Sequence, residues 1–456
     1  MLLCAQYILP ITSDPIMFGA ILVRNGKIRD IGTAEMLRLR YPDEEVREYD
    51  TAALLPGFVD VHTHMEYAVM RGVINDEPFA DWKVHLKKKE SLMTASDWYD
   101  SAIFGGLDAL SSGVTTIADI TDIGASVDAA QKLGLRAVVY REVGAADKSR
   151  VDNVIRLAER DIDDWMGRVD SGRITVGIAP YALYSCHPLI FKRVAEVAGD
   201  DLPVAMHLAG SREEYRFVKY GSSPFPGYDD NANRGYVEMP PWLPTGVSPV
   251  HYALNWGVFE AHNILAIHCV HVDPEDVKIL RDYDVAIATC PRCNAQLGMG
   301  IAPISEYRRL GMRVGLGTDS PAATDSTDMI AEMRIGMLLH RAASASTASW
   351  SGGFVTANQM LAMATMGGAR ALHMEDRIGS LEIGKRADII AVDLAGSMHP
   401  STDDPVAAVV NAASGQDVCM TMVDGKILYE QNRWNVDVDV AKSIARVIGI
   451  RGKLRG

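Results

Sequence analysis

Eight short apolar runs recur between residues 57 and 321, each followed by a longer stretch of different periodicity. They are GFVDVHTH from Gly57, GVTTIADI from Gly113, RAVVYREVG from Arg136, ITVGIAP from Ile174, PVAMHLAG from Pro203, ILAIHCVHV from Ile264, VAIATCP from Val285 and VGLGTDSP from Val314. Segments between them, such as SVDAAQKLG, HPLIFKRVAEVAG and PEDVKILRDYD, repeat apolar residues at helical spacing. Near-continuous apolar strands alternating with amphipathic helices predict an α/β fold with a parallel sheet covered on both faces. Eight such units close into a (β/α)8 TIM barrel.

The two ends follow another pattern. GAILVRNGKIRDIG near the start, and IGSLEIGKRADIIAVDL and VCMTMVDGKILYEQ near the end, read as hairpin strands, the first joined at an Asn-Gly turn. They predict a small composite β-sandwich domain from residues 1–55 and 375–434, a barrel over 56–374, and a C-terminal helical tail over 435–456. One connection, 211–262, is rich in Gly, Pro, Asn and aromatics. Its length, and its place after a strand at the face where barrel enzymes work, predict a lid or pocket wall.

Composition narrows the function classes. With 48% hydrophobic and 23% charged residues over 456 positions, the chain has ordinary globular usage and enough length for a large core. A formal net charge of -14 argues against a nucleic-acid partner and favours a small molecule. No apolar run approaches the ~20 residues of a membrane span. The opening MLLCAQYILPITSDP lacks a basic n-region and a small-residue cleavage site, so a cytoplasmic protein with no membrane association is expected. Six cysteines are too sparse for a disulfide scaffold, and CPRC (290–293) has no second C-x-x-C, so it reads as buried thiols. No interface can be read, and a homo-oligomer is left open.

The chemistry begins at His62 and His64. On a strand, alternate side chains share a face, so both rings can reach one ion. A half-buried strand bearing two hydrogen-bonded histidines explains an isolated pair as well. The pair is not isolated: His207, His268 and Asp319 fall at the carboxyl ends of the fifth, sixth and eighth candidate strands, at the same barrel mouth. Three imidazoles with a carboxylate suit zinc or ferrous iron and leave a position for substrate.

Together LLPGFVDVHTHMEY, MHLAGSREEY, IHCVHV, CPRCN and GLGTDSP resemble the amidohydrolase superfamily. Within it they resemble the deaminase and chlorohydrolase branch, which includes adenosine, methylthioadenosine, S-adenosylhomocysteine and aminodeoxyfutalosine deaminases and triazine hydrolases. The resemblance covers almost the whole chain. It implies one divalent metal, zinc first and Fe2+ second, held by His62, His64, His207 and Asp319. His268 would orient the attacking water, and Asp319 would share its proton. Members with two metals carry a lysine on the fourth strand, and ITVGIAPYAL has none. The implied reaction is hydrolytic deamination of an amino-substituted, nucleoside-like nitrogen heterocycle. The alternatives are a chlorohydrolase or other C–N hydrolase acting on a non-purine ring such as an s-triazine, and a non-catalytic metal-binding barrel.

Two positions depart from the family's pattern. The branch reads His-x-x-Glu on the fifth strand, its glutamic acid protonating the ring; here position 210 is glycine. Tyr181 stands where related purine-nucleoside deaminases often have histidine. Glu66, just past His64, is the first candidate to supply the missing acid, followed by Glu213 and Glu214. Trp82 matches an aromatic covering the bound base. Glu90, Arg141 and Tyr181 are the further candidates for substrate contact.

Overall fold

The computed structural model describes residues 1–222, 244–346, 354–395 and 403–455. Its strands are β1 (Leu2–Ile8), β2 (Ile16–Arg24), β3 (Lys27–Thr33), β4 (Val46–Pro56), β5 (Phe58–Thr63), β6 (Val114–Thr121), β7 (Arg136–Val143), β8 (Ile174–Pro180), β9 (Val204–Leu208), β10 (Ile264–His268), β11 (Ala286–Thr289), β12 (Val314–Leu316), β13 (Ile389–Asp393), β14 (Val418–Val423), β15 (Lys426–Glu430) and β16 (Arg433–Trp434). Strands β5 to β12 pair in sequence order, all parallel, with helices between them. Each coincides with one of the eight apolar runs.

The ends of that sheet meet. Thr63 bridges to Asp319, and the Asp319 N–H donates to the His62 carbonyl at 2.8 Å. Asp60, on β5, reaches across the seam and accepts from the Thr318 N–H at 3.0 Å and the Thr318 hydroxyl at 2.5 Å. Gly317 makes the approach feasible, since an added Cβ would lie 2.9 Å from the His62 backbone. The barrel is therefore closed at the point where the first histidine and the last carboxylate leave it.

The small β-unit from both termini has the hydrogen-bonded order β16-β15-β14-β13-β4-β1-β2-β3. Its pairs are antiparallel except β1 with β4, and its hairpin turn at Asn25 and Gly26 has both φ angles positive, 52° and 71°. The apolar opening Leu2–Ile8 is a buried strand of this sheet. A buried cation ties the unit to the barrel. Arg136, at the start of β7, donates to Asp388 from Nε at 2.7 Å and from Nη2 at 3.1 Å, and to Asp424 at 2.8 Å.

The C-terminal tail contains the helix Val440–Arg455, whose Val447, Ile450 and Leu454 are buried. Arg446 pairs with Asp100 at 2.8 Å and Lys453 with Asp97 at 2.9 Å. The connection read as a lid begins with the helix Arg212–Tyr220 and ends with Pro249–Asn255. Its Pro- and Gly-rich part, 223–243, lies outside the described residues. Among the described residues no helix is long and apolar enough to cross a membrane.

Candidate active site

The carboxyl ends of four barrel strands converge. His62 Nε2 lies 3.3 Å from Asp319 Oδ1, His64 Nε2 is 3.9 Å from the same oxygen, and His268 Nε2 is 3.7 Å from Asp319 Oδ2. The ligand nitrogens of His62, His64 and His207 lie within 4.8 Å of one another. His268 and Asp319 have left-handed backbones, φ 74° and 60°. Holding non-glycine residues there costs roughly 1–3 kcal/mol each, a strain found where strand ends carry function.

Hydrogen bonds set the tautomers. His207 Nδ1 is 3.1 Å from the Tyr181 carbonyl oxygen, which can only accept, so Nδ1 carries the proton and the Nε2 lone pair is left for the cavity. His268 Nδ1 donates in the same way to Asn294 Oδ1 at 3.0 Å. Burial depresses the His64 imidazole to about 3, with His62 adding to the effect, and depresses His268 to about 4 against the pull of Asp319. Burial opposes ionisation of Asp319, but the surrounding imidazoles of His62, His268 and His64 outweigh it and hold the carboxyl well below its ordinary range. Neutral imidazoles beside a carboxylate are the protonation state a divalent ion requires.

His62 Nε2 is buried with no hydrogen-bond partner. Leaving such an atom unsatisfied is costly, and an ion among these side chains removes the cost. His62, His64, His207 and Asp319 could thus hold one zinc or iron ion. Cys290 lies close to His268 and Asp319, but burial pushes its thiol and that of Cys293 far above the usual range. All six cysteines are unpaired.

The cluster opens into a cavity lined by His64, His207, His268 and Asp319 and by an aromatic wall of Tyr67, Phe79, Trp82, Tyr181 and Tyr184. Aromatic faces of this kind suit a flat heterocyclic ring. Trp82 and Tyr181, both proposed from the sequence, lie in this wall. Helix Phe79–Glu90 presents Phe79, Trp82, Lys83, Leu86 and Lys87 to the cavity, the stripe expected of one helical face.

Other sequence candidates are not brought there. The strand ends at Thr63 and a 3-10 helix, Met65–Met70, begins at once. This turn directs Glu66 away from the histidines, against the expectation that it would overhang them: its carboxylate accepts from the Thr121 hydroxyl. Glu66 and Glu90 instead line an adjoining cavity, and Glu90 pairs with Lys87 at 2.6 Å. Arg141 is engaged by Asp122 at 2.7 Å and Asp161 at 3.1 Å and lines neither cavity. Glu213 is not in the lining, whereas Glu214 is. The Glu214 carboxylate accepts from the Ala209 N–H at 3.1 Å and the Gly210 N–H at 2.9 Å, so it secures the end of β9. The space at Gly210 is tight: an added Cβ would meet His268 Cδ2 at 3.0 Å and Met299 Cε at 3.1 Å.

Sequence reasoning missed Lys83, Glu142 and Asn294. Asn294 stands inside the quoted CPRCN, and the signal was its position one turn from strand β11. Below that loop, Glu332 is fully buried; Oε1 accepts the Arg292 N–H at 2.7 Å, while Oε2 has no hydrogen-bond partner. Burial pushes this carboxyl up to about 8 against the attraction of Arg292. A group whose folded pKa is raised contributes stability in full below its unfolded value and loses it as pH rises through the folded one. Stability should therefore fall between about pH 4.5 and 8 on account of Glu332. Glu332→Gln, neutral throughout, is expected to match the parent Tm near the acid end of this window and exceed it at the alkaline end. Parallel Tm–pH curves for the two proteins would contradict a protonated Glu332.

The amidohydrolase family model matches residues 53–428, and an imidazolonepropionase-like composite domain of bacteria matches 19–43. The chain is 32% identical to a 5-methylthioadenosine/S-adenosylhomocysteine deaminase of Moorella thermoacetica, covering 92% of each sequence. It is 31% identical to the same-named protein of Symbiobacterium thermophilum, over 93% of this chain and 92% of that one. A zinc-bound adenosine deaminase from Xanthomonas campestris has a similar fold, with a TM-score of 0.83, 24% identity and coverage of 100% of this chain and 98% of that one.

Proposed function

This chain belongs to the amidohydrolase family and is a hydrolase of C–N bonds, and from that premise we propose that it deaminates an amino-substituted, nucleoside-like heterocycle with one divalent metal, zinc in the first instance. The observation that carries the proposal is the convergence of His62, His64, His207 and Asp319 around the unpartnered His62 Nε2, beside an aromatic cavity. A bound divalent ion would supply Lewis acidity and make water a competent nucleophile near neutral pH. His268, its Nδ1–H committed to Asn294, presents an unprotonated Nε2 that can orient that water and take its proton. Asp319 holds a negative charge at the same point, and Trp82 covers the ring.

The named relatives make 5-methylthioadenosine and S-adenosylhomocysteine the first substrates to test. Gly210, with no carboxyl to protonate the ring, favours a second reading, a non-purine ring or a chloride leaving group. The free thiols accord with a reducing cytoplasm. Zinc-loaded protein should contain one divalent ion per chain and release ammonia from a panel of aminated heterocycles. Chelation should abolish this and zinc restore it. Chloride release alone would select the second reading, and two stoichiometric ions or a metal-free inert barrel would overturn both.

A further inference from the structure

Lys83 is buried to 5% exposure, yet among the described residues its ammonium hydrogen-bonds only to a neutral group, the Tyr181 hydroxyl oxygen. Its ammonium also lies 4.4 Å from the Tyr181 ring centroid. Among the described residues no carboxylate forms an ion pair with it. Lys87, one turn on, is paired with Glu90, and Glu142 lines the same cavity, attracted by both lysines but in ion-pair contact with neither. A buried ammonium without a contacting counter-charge is expensive, and an apolar residue on this helix face would pack at lower cost.

The hydroxyl beside it is equally one-sided. Tyr184 packs beside it, the two ring centroids 6.2 Å apart. Because the Lys83 ammonium can only donate, Tyr181 Oη accepts from it and keeps its own O–H to donate. Lys83 keeps N–H donors of its own. This corner of the cavity thus offers an ammonium and a phenol donor side by side. It also adjoins the histidines, since the Tyr181 ring centroid is 4.8 Å from that of His207.

We propose that the heterocycle this enzyme accepts bears an anionic oxygen, an ionised ring oxo group or a carboxylate, seated against Lys83 Nζ and Tyr181 Oη. This rests on reading the cavity as a deaminase site, and it moves the substrate class from neutral 6-aminopurines to acidic, oxo- or carboxy-substituted amino heterocycles. Lys83 and Tyr181 are then specificity residues, and they stand beside the position where the family's acid is replaced by Gly210.

The test uses the zinc-loaded full-length protein, its Lys83→Met and Lys83→Arg variants, and three ring probes measured by calorimetry: barbiturate (an ionised oxo ring), orotate (a carboxylate) and neutral uracil. At least one anion should bind the parent about tenfold or more tightly than Lys83→Met, the scale of a charged hydrogen bond. Lys83→Arg should recover part of the loss, and uracil should not discriminate among the three proteins. The anion with the larger loss identifies oxo or carboxylate recognition. Lys83→Met should melt at or above the parent Tm, since a buried charge has been removed. Equal anion binding by parent and Lys83→Met would overturn the proposal, as would a Tm loss accompanied by zinc loss, which would make Lys83 structural. Binding requires no turnover. Absence of ammonia release would therefore defeat the deaminase reading and leave the binding contrast intact.

Discussion

A His62→Ala variant is expected to purify with far less than one divalent ion per chain, whereas His268→Ala keeps its ion and loses turnover by roughly 10²–10⁴-fold, the usual share of a positioned acid–base group. Elemental analysis beside kcat separates the two. The distinction comes from how the rings are held. His62 is fully buried, its Nε2 faces Asp319 Oδ1, and it has no alternative partner. Removing it deletes a donor from the centre of the set. His268 stands further out: its ring centroid is 6.1 Å from that of His62, and its Nε2 approaches the other carboxylate oxygen of Asp319. Its Nδ1 is restrained by Asn294, as suits a ring that must offer one lone pair in one direction. If His268→Ala lost metal in proportion to activity, the ring would be a ligand and the assignment of roles would be wrong.

The barrel was legible because parallel strands covered on both faces must be apolar nearly throughout, and each of the eight runs met that demand over much of its length. Strand ends then indicated which polar residues would share a mouth, so His62, His64, His207, His268 and Asp319 could be grouped from spacing alone. Side-chain direction beyond a strand end was not legible. Glu66 depends on whether the chain continues or turns after His64, and the immediate 3-10 turn sends it to Thr121. Arg141 sits on a strand that was correctly read, but its partners Asp122 and Asp161 come from segments before and after it that no local pattern connects to it. Lys83 was hidden by composition. Lys87, Lys88 and Lys89 follow it, a run typical of a solvated helix face, and only the helix's placement showed that positions 79, 82, 83, 86 and 87 face inward. In the small β-unit, the parallel pairing of β1 with β4 joins segments separated by a hairpin, and hairpin signals alone predict only antiparallel neighbours.

Arg136→Met is expected to cost about 3–5 kcal/mol of stability, read as an earlier thermal and urea transition, while metal content stays at the parent level. Arg136 is 0% exposed and stands at the amino end of β7, across the barrel from the histidines. Its bidentate bond to Asp388 and its bond to Asp424 bind barrel to terminal sheet, and Asp388 Oδ1 also accepts the Asp424 N–H at 2.8 Å. The methionine fills much of the volume but leaves Asp388, itself 4% exposed, without its counter-charge. Most of the penalty is thus a stranded carboxylate rather than a lost attraction, and the charge can be removed independently. Asp388→Asn added to Arg136→Met keeps an oxygen that can accept the Asp424 N–H and abolishes the stranded charge. The double variant should therefore be more stable than Arg136→Met alone, a coupling of opposite sign to simple additivity. If the single variant lies within about 1 kcal/mol of the parent, or the two losses simply add, Asp388 is already neutralised by other means and the junction is held by apolar packing instead.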